Sequence, residues 1–455
     1  MTSTAEAVLD DLTRELSDWS VAPDELGRAA TDRSGSPAAG VPALLVRAHD
    51  VAEVQAVARF ASAHGIALVT RGAGSGLAGG AVAGSGVIVL DLSALDRIVE
   101  IRPVDQVAVV EPGVITADLD AAAAAHGLFY APDPGSVGIS TIGGNIATNA
   151  GGLRGAKYGV TRDAVLALDV VMADGRLVRL GAGTLKHVAG YDLLGLLVGS
   201  EGTLGIVVGA TLRLLPRPAA IGTIGAYFDS LEQAAVAAVA VRSSGARPAV
   251  LEIVDGPTVG AIDDLSGTSL RALGEAFLLV QVDGLDVTAE LAAAVAAIAG
   301  ATHLESSVDP ATSARVLAAR RLALPAIEAT GRALIEDIAV PPSRLVEAVR
   351  GVDAIAAATG TTIYVFAHAG DGNLHPIIVV DAEAGDDLPP TVVDAADRIF
   401  ALALELGGTV TGEHGVGLLK QEWVARQVGP HVDELHHAIK RVLDPAGILN
   451  PGKAI

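Results

Sequence analysis

Apolar residues recur along the chain in two rhythms, and the rhythm changes near residue 216. In the first part, "ALLVRAH" is a short apolar strand. The segment "VAEVQAVARFASAHG" that follows carries apolar residues at helical spacing, with Asp50 placed to cap its start and Gly65 its end. "IALVT" and "VIVLDL" read as buried strands, giving an α/β layout. From Ile221 onward, "IGTIGAYF", the Ala-rich helix "SLEQAAVAAVAVRSSG" and "PAVLEIVD" form one strand-helix-strand unit. "EAFLLVQVDG", "VTAELAAAVAAIAG" and "ATHLESSV" repeat that order. Two such units predict a ferredoxin-like antiparallel sheet. The helix "PSRLVEAVRGVDAIAAATG" and the strand "TTIYVFAH" continue the alternation. Two prolines in "LLPRPAA" mark a domain boundary, so the expected divisions are 1–215, 216–405 and a C-terminal segment 406–455.

Composition narrows the function classes. The 455 residues are 51% hydrophobic but only 3% aromatic, and the formal net charge is −22. That charge argues against binding nucleic acid or anionic lipid. Cysteine is absent, which excludes disulfides, thiolate metal sites and cysteine-linked cofactors. The N-terminal "MTSTAEAVLDDLTREL" is acidic and amphipathic and lacks the features of a signal peptide. No unbroken apolar run is long enough to span a membrane. The expectation is a cytoplasmic protein, with peripheral membrane association left open.

Three glycine-rich segments stand out. In "RGAGSGLAGG", Gly74, Gly76 and Gly79 satisfy G-x-G-x-x-G after a strand. A dinucleotide fold of the doubly wound type needs a helix to start inside that motif. Here "LAGGAVAGSG" follows, and glycines cost a helix about 1 kcal/mol each against alanine. The alternative is a loop whose bare N–H groups wrap a pyrophosphate as an anion nest. The second segment, "PDPGSVGISTIGGNIATNAGGLRGAKYGVTRD", is long, irregular and rich in small polar residues, as functional loops are. The third contains "GSEGTLGIV".

Taken in order with "HAGDGNLHP" and "GEHGVG" further on, these segments resemble the flavoenzymes that share the vanillyl-alcohol-oxidase (PCMH) type of FAD-binding domain. The match is to the branch of D-lactate dehydrogenases, the glycolate oxidase FAD subunit and D-2-hydroxyglutarate dehydrogenase, over roughly residues 40 to 455. The resemblance implies an α+β fold: an FAD-binding domain, a ferredoxin-like antiparallel-sheet substrate (cap) domain, and a C-terminal segment returning to the FAD domain. It implies that Arg71, Gly72, Ala73, Gly74, Ser75, Gly76 and Leu77 cradle the pyrophosphate. Pro134, Gly135, Ser136, Thr141, Gly144, Asn145, Thr148 and Gly151 would line the ribityl chain and ring. Glu201, Gly205 and Ile206 would meet the adenosine half or the far side of the ring, and Asn450 would return to the flavin. Ser75 stands where some relatives carry a histidine that links FAD covalently, so noncovalent FAD is expected.

"HAGDGNLHP" places two of only 11 histidines around an Asp-Gly turn. If the turn centres on Asp371-Gly372, His368 and His375 sit directly opposite on one face. Cross-strand Cβ atoms are then about 4.5–5.5 Å apart, which allows two imidazoles to share a metal ion. The third ligand should be a carboxylate or histidine, and "TGEHGVG" offers Glu413 and His414. The resemblance assigns Glu413 to the metal with His368 and His375, and leaves His414 as general base. Zinc, manganese and iron all suit that set. The implied reaction is oxidation of a D-2-hydroxy acid to the 2-oxo acid, with hydride going to flavin N5. Arg320, in "LAARRLALPAIE", matches the family's carboxylate-clamping arginine. Asn373 orients a substrate oxygen or closes the turn.

Departures from the family bear on the substrate. Ile335 and Ile377 stand where dicarboxylate-using relatives carry lysine and asparagine, which favours lactate or glycolate over D-2-hydroxyglutarate. A non-redox alkylglycerone-phosphate-synthase-like enzyme, a flavin subunit of an electron-transfer complex and a metal-dependent hydrolase are the rival readings. The expected partners are the small 2-hydroxy acid and an electron acceptor: a quinone, a cytochrome, an electron-transfer flavoprotein or a partner subunit. A homodimer is left open.

Overall fold

The computed structural model describes residues 9, 11–380 and 388–455. Of the acidic N-terminal stretch, residues 1–8 and 10 lie outside the described residues. The chain divides into two compact units: 1–151, 159–217 and 413–455 form the first, and 152–158 with 218–412 form the second. Among the described residues, no helix is long and apolar enough to cross a membrane.

The first unit holds two sheets. Strands β1 (Trp19–Ser20), β2 (Leu44–Arg47), β3 (Leu68–Arg71) and β4 (Ile88–Asp91) run in the order β1-β2-β4-β3, with β2, β4 and β3 parallel. The helix Val51–His64 starts and stops where its sequence says: Asp50 accepts from the Glu53 N–H, and Gly65 ends it at φ 64°. Leu449 bridges to Leu68 at the edge of this sheet, so the C-terminal segment is part of the unit's core. The second sheet is antiparallel, unlike the α/β layout that the first third suggests. It is built from β5 (Ile98–Arg102), β6 (Val107–Val110), β8 (Val165–Val171), β9 (Leu177–Gly181) and β10 (Ile206–Arg213), in the order β5-β6-β10-β8-β9. A short pair, β7 (Leu128–Phe129) with β11 (Leu215–Pro216), completes the unit.

The second unit is one antiparallel sheet with helices against it. It comprises β12 (Ala220–Phe228), β13 (Val250–Val254), β14 (Ala276–Gly284), β15 (His303–Ser307), β16 (Arg332–Ile335), β17 (Ile338–Ala339), β18 (Thr362–His368) and β19 (Asn373–Val380). The order is β15-β12-β14-β13-β18-β19-β16, with β17 beside β19. The first four strands and the helices Leu231–Ser243 and Thr288–Ala297 make the ferredoxin-like half. The fold is therefore α+β.

The histidine hairpin is wider than its Asp-Gly dipeptide suggests. Phe366 pairs with His375, and His368 pairs with Asn373, so the two histidines are diagonal neighbours and not directly opposed. The turn spans Ala369 to Gly372: both the Asp371 and Gly372 N–H groups donate to His368 O. Gly372 adopts φ 86°, and the Asp371 carboxylate accepts from the Asn373 N–H. A four-residue loop built this way shifts the pairing by two residues, an even number, and so keeps both side chains on one face.

The register of β18 against β13 is fixed by a three-residue ladder, Glu252 with His368, Ile253 with Ala367 and Val254 with Phe366. Asp255 extends it. Its N–H donates to Val365 O, and its buried carboxylate accepts from the Val365 and Thr258 N–H groups at 2.7 and 2.8 Å. Burial raises the Asp255 carboxyl to about 7, against the pull of those N–H groups and with some help from Asp353. A folded value above the unfolded one, about 3.9, means that protonation of Asp255 favours the folded state. That contribution is complete below about pH 4 and is lost as pH rises through about 7. Urea unfolding across this range should show stability falling with pH. Asp255→Asn should flatten that slope while costing about 1 kcal/mol for the acceptor lost. An unchanged slope would remove Asp255 from this role.

Candidate active site

Strand pairing builds a polar row across the second unit. Glu252, His368 and Asn373 are direct partners on β13, β18 and β19, and Ala339 of β17 continues the row. One step along, Val254, Phe366 and His375 form the next row on the same face. The His368 and His375 rings lie 5.1 Å apart, edge to face, and are only 6% and 2% exposed. Glu252 is fully buried. Its Oε1 lies 2.7 Å from His368 Nδ1, and its Oε2 accepts from Arg320 Nε at 2.8 Å. Arg320, near the end of the helix Pro310–Arg321, also lies over the Phe366 ring at 4.2 Å. Arg320, His368, His375 and Asn373 are thus brought together by one sheet face.

On the other side of the histidines lies Asp337, also fully buried. Its Oδ2 accepts from Thr411 Oγ1 at 3.0 Å and the Gly412 N–H at 2.8 Å, and its Oδ1 is 3.9 Å from His375 Nδ1. Asp337 therefore fixes the backbone one residue before Glu413. The Asn373 amide oxygen meets no donor among the described residues. Glu252 and Asp337 escaped sequence reasoning. The one available signal for Glu252 was a lone acid inside the otherwise apolar "PAVLEIV". Two imidazoles held edge-on, each facing a buried carboxylate, suit a divalent cation. His375 and His368 could hold one through ring nitrogens.

Glu413 and His414 open the last segment of the first unit, with His414 Nε2 4.0 Å from Glu413 Oε1. That segment is anchored by Glu201, whose carboxylate accepts from the Val416 and Gly417 N–H groups at 2.7 and 2.8 Å. Burial pushes the Glu201 carboxyl up, while those N–H groups pull it down. A Cβ at Gly415 would fall 3.1 Å from the same carboxylate, and Gly415 adopts φ 84°, which accounts for the glycine after His414. Asn450 is committed as well: its amide donates to Glu201 O and Gly80 O and accepts from Lys453. Burial lowers the Lys453 ammonium to about 8.

The remaining expected residues lie in the first unit, on loops, on the helix Ile142–Thr148 and on β3 and β10. No helix follows β3 before β4, which excludes the doubly wound arrangement. Among the described residues, the backbone N–H groups from Gly72 to Ala78 find no acceptor. Such a run of donors, including those of Ala73, Gly74, Ser75, Gly76 and Leu77, suits a pyrophosphate. Arg71 lies beneath it: the guanidinium donates to Ala29 O and Thr31 O, and a Cβ at Gly74 would collide with it. Gly72 abuts Thr141, which caps the helix Ile142–Thr148 by accepting from the Gly144 N–H. Ala73 and Thr141 share a cavity of about 210 Å³ with Asp96, Ile98, Ile115 and Asp118. Ligand pockets usually measure about 300–1,000 Å³, so this one suits part of a dinucleotide. Pro134, Gly135 and Ser136 form the turn before that helix, closed by the Val137 N–H on Pro134 O. A Cβ at Gly151 would fall 2.5 Å from Glu413 Oε2. Asn145 is buried, donating to Thr116 Oγ1, and Thr148 donates to Gly144 O. Gly205 and Ile206 lie in the interior: Ile206 is fully buried, and a Cβ at Gly205 would meet Val170. The donors, the cation and the cavity fit FAD.

Comparison with known proteins agrees. Residues 42–181 match the FAD binding domain, and residues 217–454 match the C-terminal domain of FAD linked oxidases. The glycolate oxidase subunit GlcD of Bacillus subtilis is 39% identical over 91% of this chain and 89% of its own length. A D-lactate dehydrogenase of Archaeoglobus fulgidus is 36% identical over 92% of this chain and 93% of its own. The 4-ethylphenol oxidase of Gulosibacter chungangensis shares the fold, with a TM-score of 0.79 at 18% identity over 100% of this chain and 98% of that one. The chain belongs to the FAD-linked oxidases and is an FAD-dependent oxidoreductase.

Proposed function

We propose that this chain oxidises a small D-2-hydroxy acid of the lactate or glycolate kind to its 2-oxo acid. The observation that carries this reading is the single sheet face on which His368, His375, Arg320 and Asn373 converge around Glu252. Relatives named for glycolate and D-lactate support it. FAD, held noncovalently by the loops that begin at Gly72 and Pro134, supplies the two-electron acceptor, and a divalent cation (zinc, manganese or iron) supplies the Lewis acid. His368, His375 and Glu413 would hold the cation, which would polarise the substrate hydroxyl. Glu413 follows directly on Gly412, which Asp337 holds. The Arg320 guanidinium uses Nε on Glu252, which leaves its two terminal nitrogens to grip the substrate carboxylate. Asn373 offers its amide oxygen to the substrate hydroxyl. His414 takes the hydroxyl proton as C2 is oxidised.

The tail of the substrate is set by the next row of the same face. Ile335 pairs with Ile377, and Ile377 pairs with Tyr364. These side chains belong to the apolar core around Phe366, and Ile377 is fully buried. A second carboxylate placed there would be desolvated without a cation to meet it. This row favours a short or apolar tail over D-2-hydroxyglutarate. Electrons then leave to an external acceptor: a quinone, a cytochrome, an electron-transfer flavoprotein or a partner subunit.

Anaerobic flavin bleaching tests the reading. D-lactate or glycolate should bleach the bound flavin, and D-2-hydroxyglutarate should do so more slowly. Chelation should abolish bleaching, and added manganese or zinc should restore it. Failure of every 2-hydroxy acid to bleach the flavin would refute the oxidase reading, and bleaching indifferent to complete metal removal would refute the metal role. In steady-state assays His414→Ala should lower kcat by about 10²- to 10⁴-fold with FAD still bound. Arg320→Lys keeps the charge but loses the fork, and should raise KM by about 10- to 100-fold, the worth of a charged hydrogen bond.

A further inference from the structure

A carboxylate in the middle of a buried strand costs several kcal/mol unless both oxygens are well paired. Glu252 pairs both, one with the imidazole of His368 and the other with the guanidinium of Arg320. We propose that Glu252 is the positioning residue shared by the metal site and the substrate clamp, setting the orientation of His368 and Arg320 with one buried anion. This inference rests on the metal-dependent oxidase reading above and adds a residue to it.

Three features support the assignment. First, a carboxylate 2.7 Å from Nδ1 makes that nitrogen the N–H donor, so the lone pair of His368 lies on Nε2, on the far side of the ring. A carboxylate behind a ligand histidine fixes tautomer and ring angle together and raises its basicity. Second, the Nε of Arg320 can donate to Oε2 only with the guanidinium plane turned one way, and the Phe366 ring 4.2 Å beneath it admits the same orientation. The fork formed by the two terminal nitrogens is thereby aimed before substrate arrives, which removes an ordering cost from binding. Third, the strand ladder makes Glu252 and His368 direct cross-strand partners, so their contact is set by backbone pairing and not by a flexible loop.

The consequence is a coupled loss. Glu252→Gln keeps the volume, but its NH2 group cannot accept from the partner that faces it. In full-length, FAD-loaded protein titrated with MnCl2, this variant should bind manganese about 10- to 100-fold more weakly than the wild type, the usual cost of losing such a partner. Its KM for the hydroxy acid should rise as well. Arg320→Lys should raise KM and leave manganese affinity unchanged. Because the two residues share one contact, the KM effects of Glu252→Gln and Arg320→Lys should not add. A purely structural Glu252 would lower the melting temperature without this split. Should Glu252→Gln fail to retain flavin, Glu252→Asp keeps the charge, withdraws it by one methylene and should show the same paired losses in smaller degree. Wild-type manganese affinity in a folded Glu252 variant overturns the inference alone. A wild-type protein that binds no manganese overturns the metal-site reading and this inference with it.

Discussion

Three residue pairs between β13 and β18 fix which polar side chains share one face of the second unit's sheet. Side chains alternate faces along a strand, so a slip of one residue would turn His368 away from Glu252 and send Phe366 to the opposite side. Asp255 guards against that slip by taking the Val365 N–H beyond the end of the ladder. Once this register is set, the hairpin returns His375 beside Phe366 and Asn373 beside His368, and the helix Pro310–Arg321 need only bring Arg320 over Phe366. The polar groups of the site are thus placed by backbone pairing in a sheet whose interior is mostly apolar, with Thr223 and Asp283 the other buried polar side chains on β12 and β14.

The first unit presents its donors on loops instead of strands. Its donors are successive N–H groups after β3, freed by glycines that do not build a helix, with the Arg71 cation underneath. Its C-terminal segment is held by a second buried glutamate. Glu201 takes two N–H groups just past His414, while Asn450 and Lys453 close the same cluster. In both units a buried carboxylate holds a segment that carries histidine: Glu201 the segment with Glu413 and His414, Glu252 the strand with His368.

Much of this was legible in the sequence, and the exceptions have physical causes. The helix Val51–His64 was readable to its caps because Asp50 and Gly65 act locally. The repeated strand-helix-strand pattern announced the ferredoxin-like half, since its periodicities are strong. The lack of a helix after β3 is legible too, because glycine content acts locally. The hairpin register differs by two residues from the tight-turn expectation because Asp-Gly can close either a two-residue or a wider turn. The choice was made by the His368 carbonyl, which receives both the Asp371 and Gly372 N–H groups. The antiparallel second sheet of the first unit was invisible for a related reason: strand direction is decided by long-range pairing. Glu252 and Asp337 left almost no trace, because their roles depend on partners 116 and 74 residues away.

On the proposed reading, His368 and His375 share one divalent cation, His368 through the nitrogen opposite its contact with Glu252. An anomalous-difference map from crystals grown with FAD and zinc tests it most directly. One strong peak should lie about 2.0–2.1 Å from the Nε2 atom of His368 and from a ring nitrogen of His375. The absence of a peak between the two rings, or ligation through Nδ1 with the Glu252 contact broken, would contradict it.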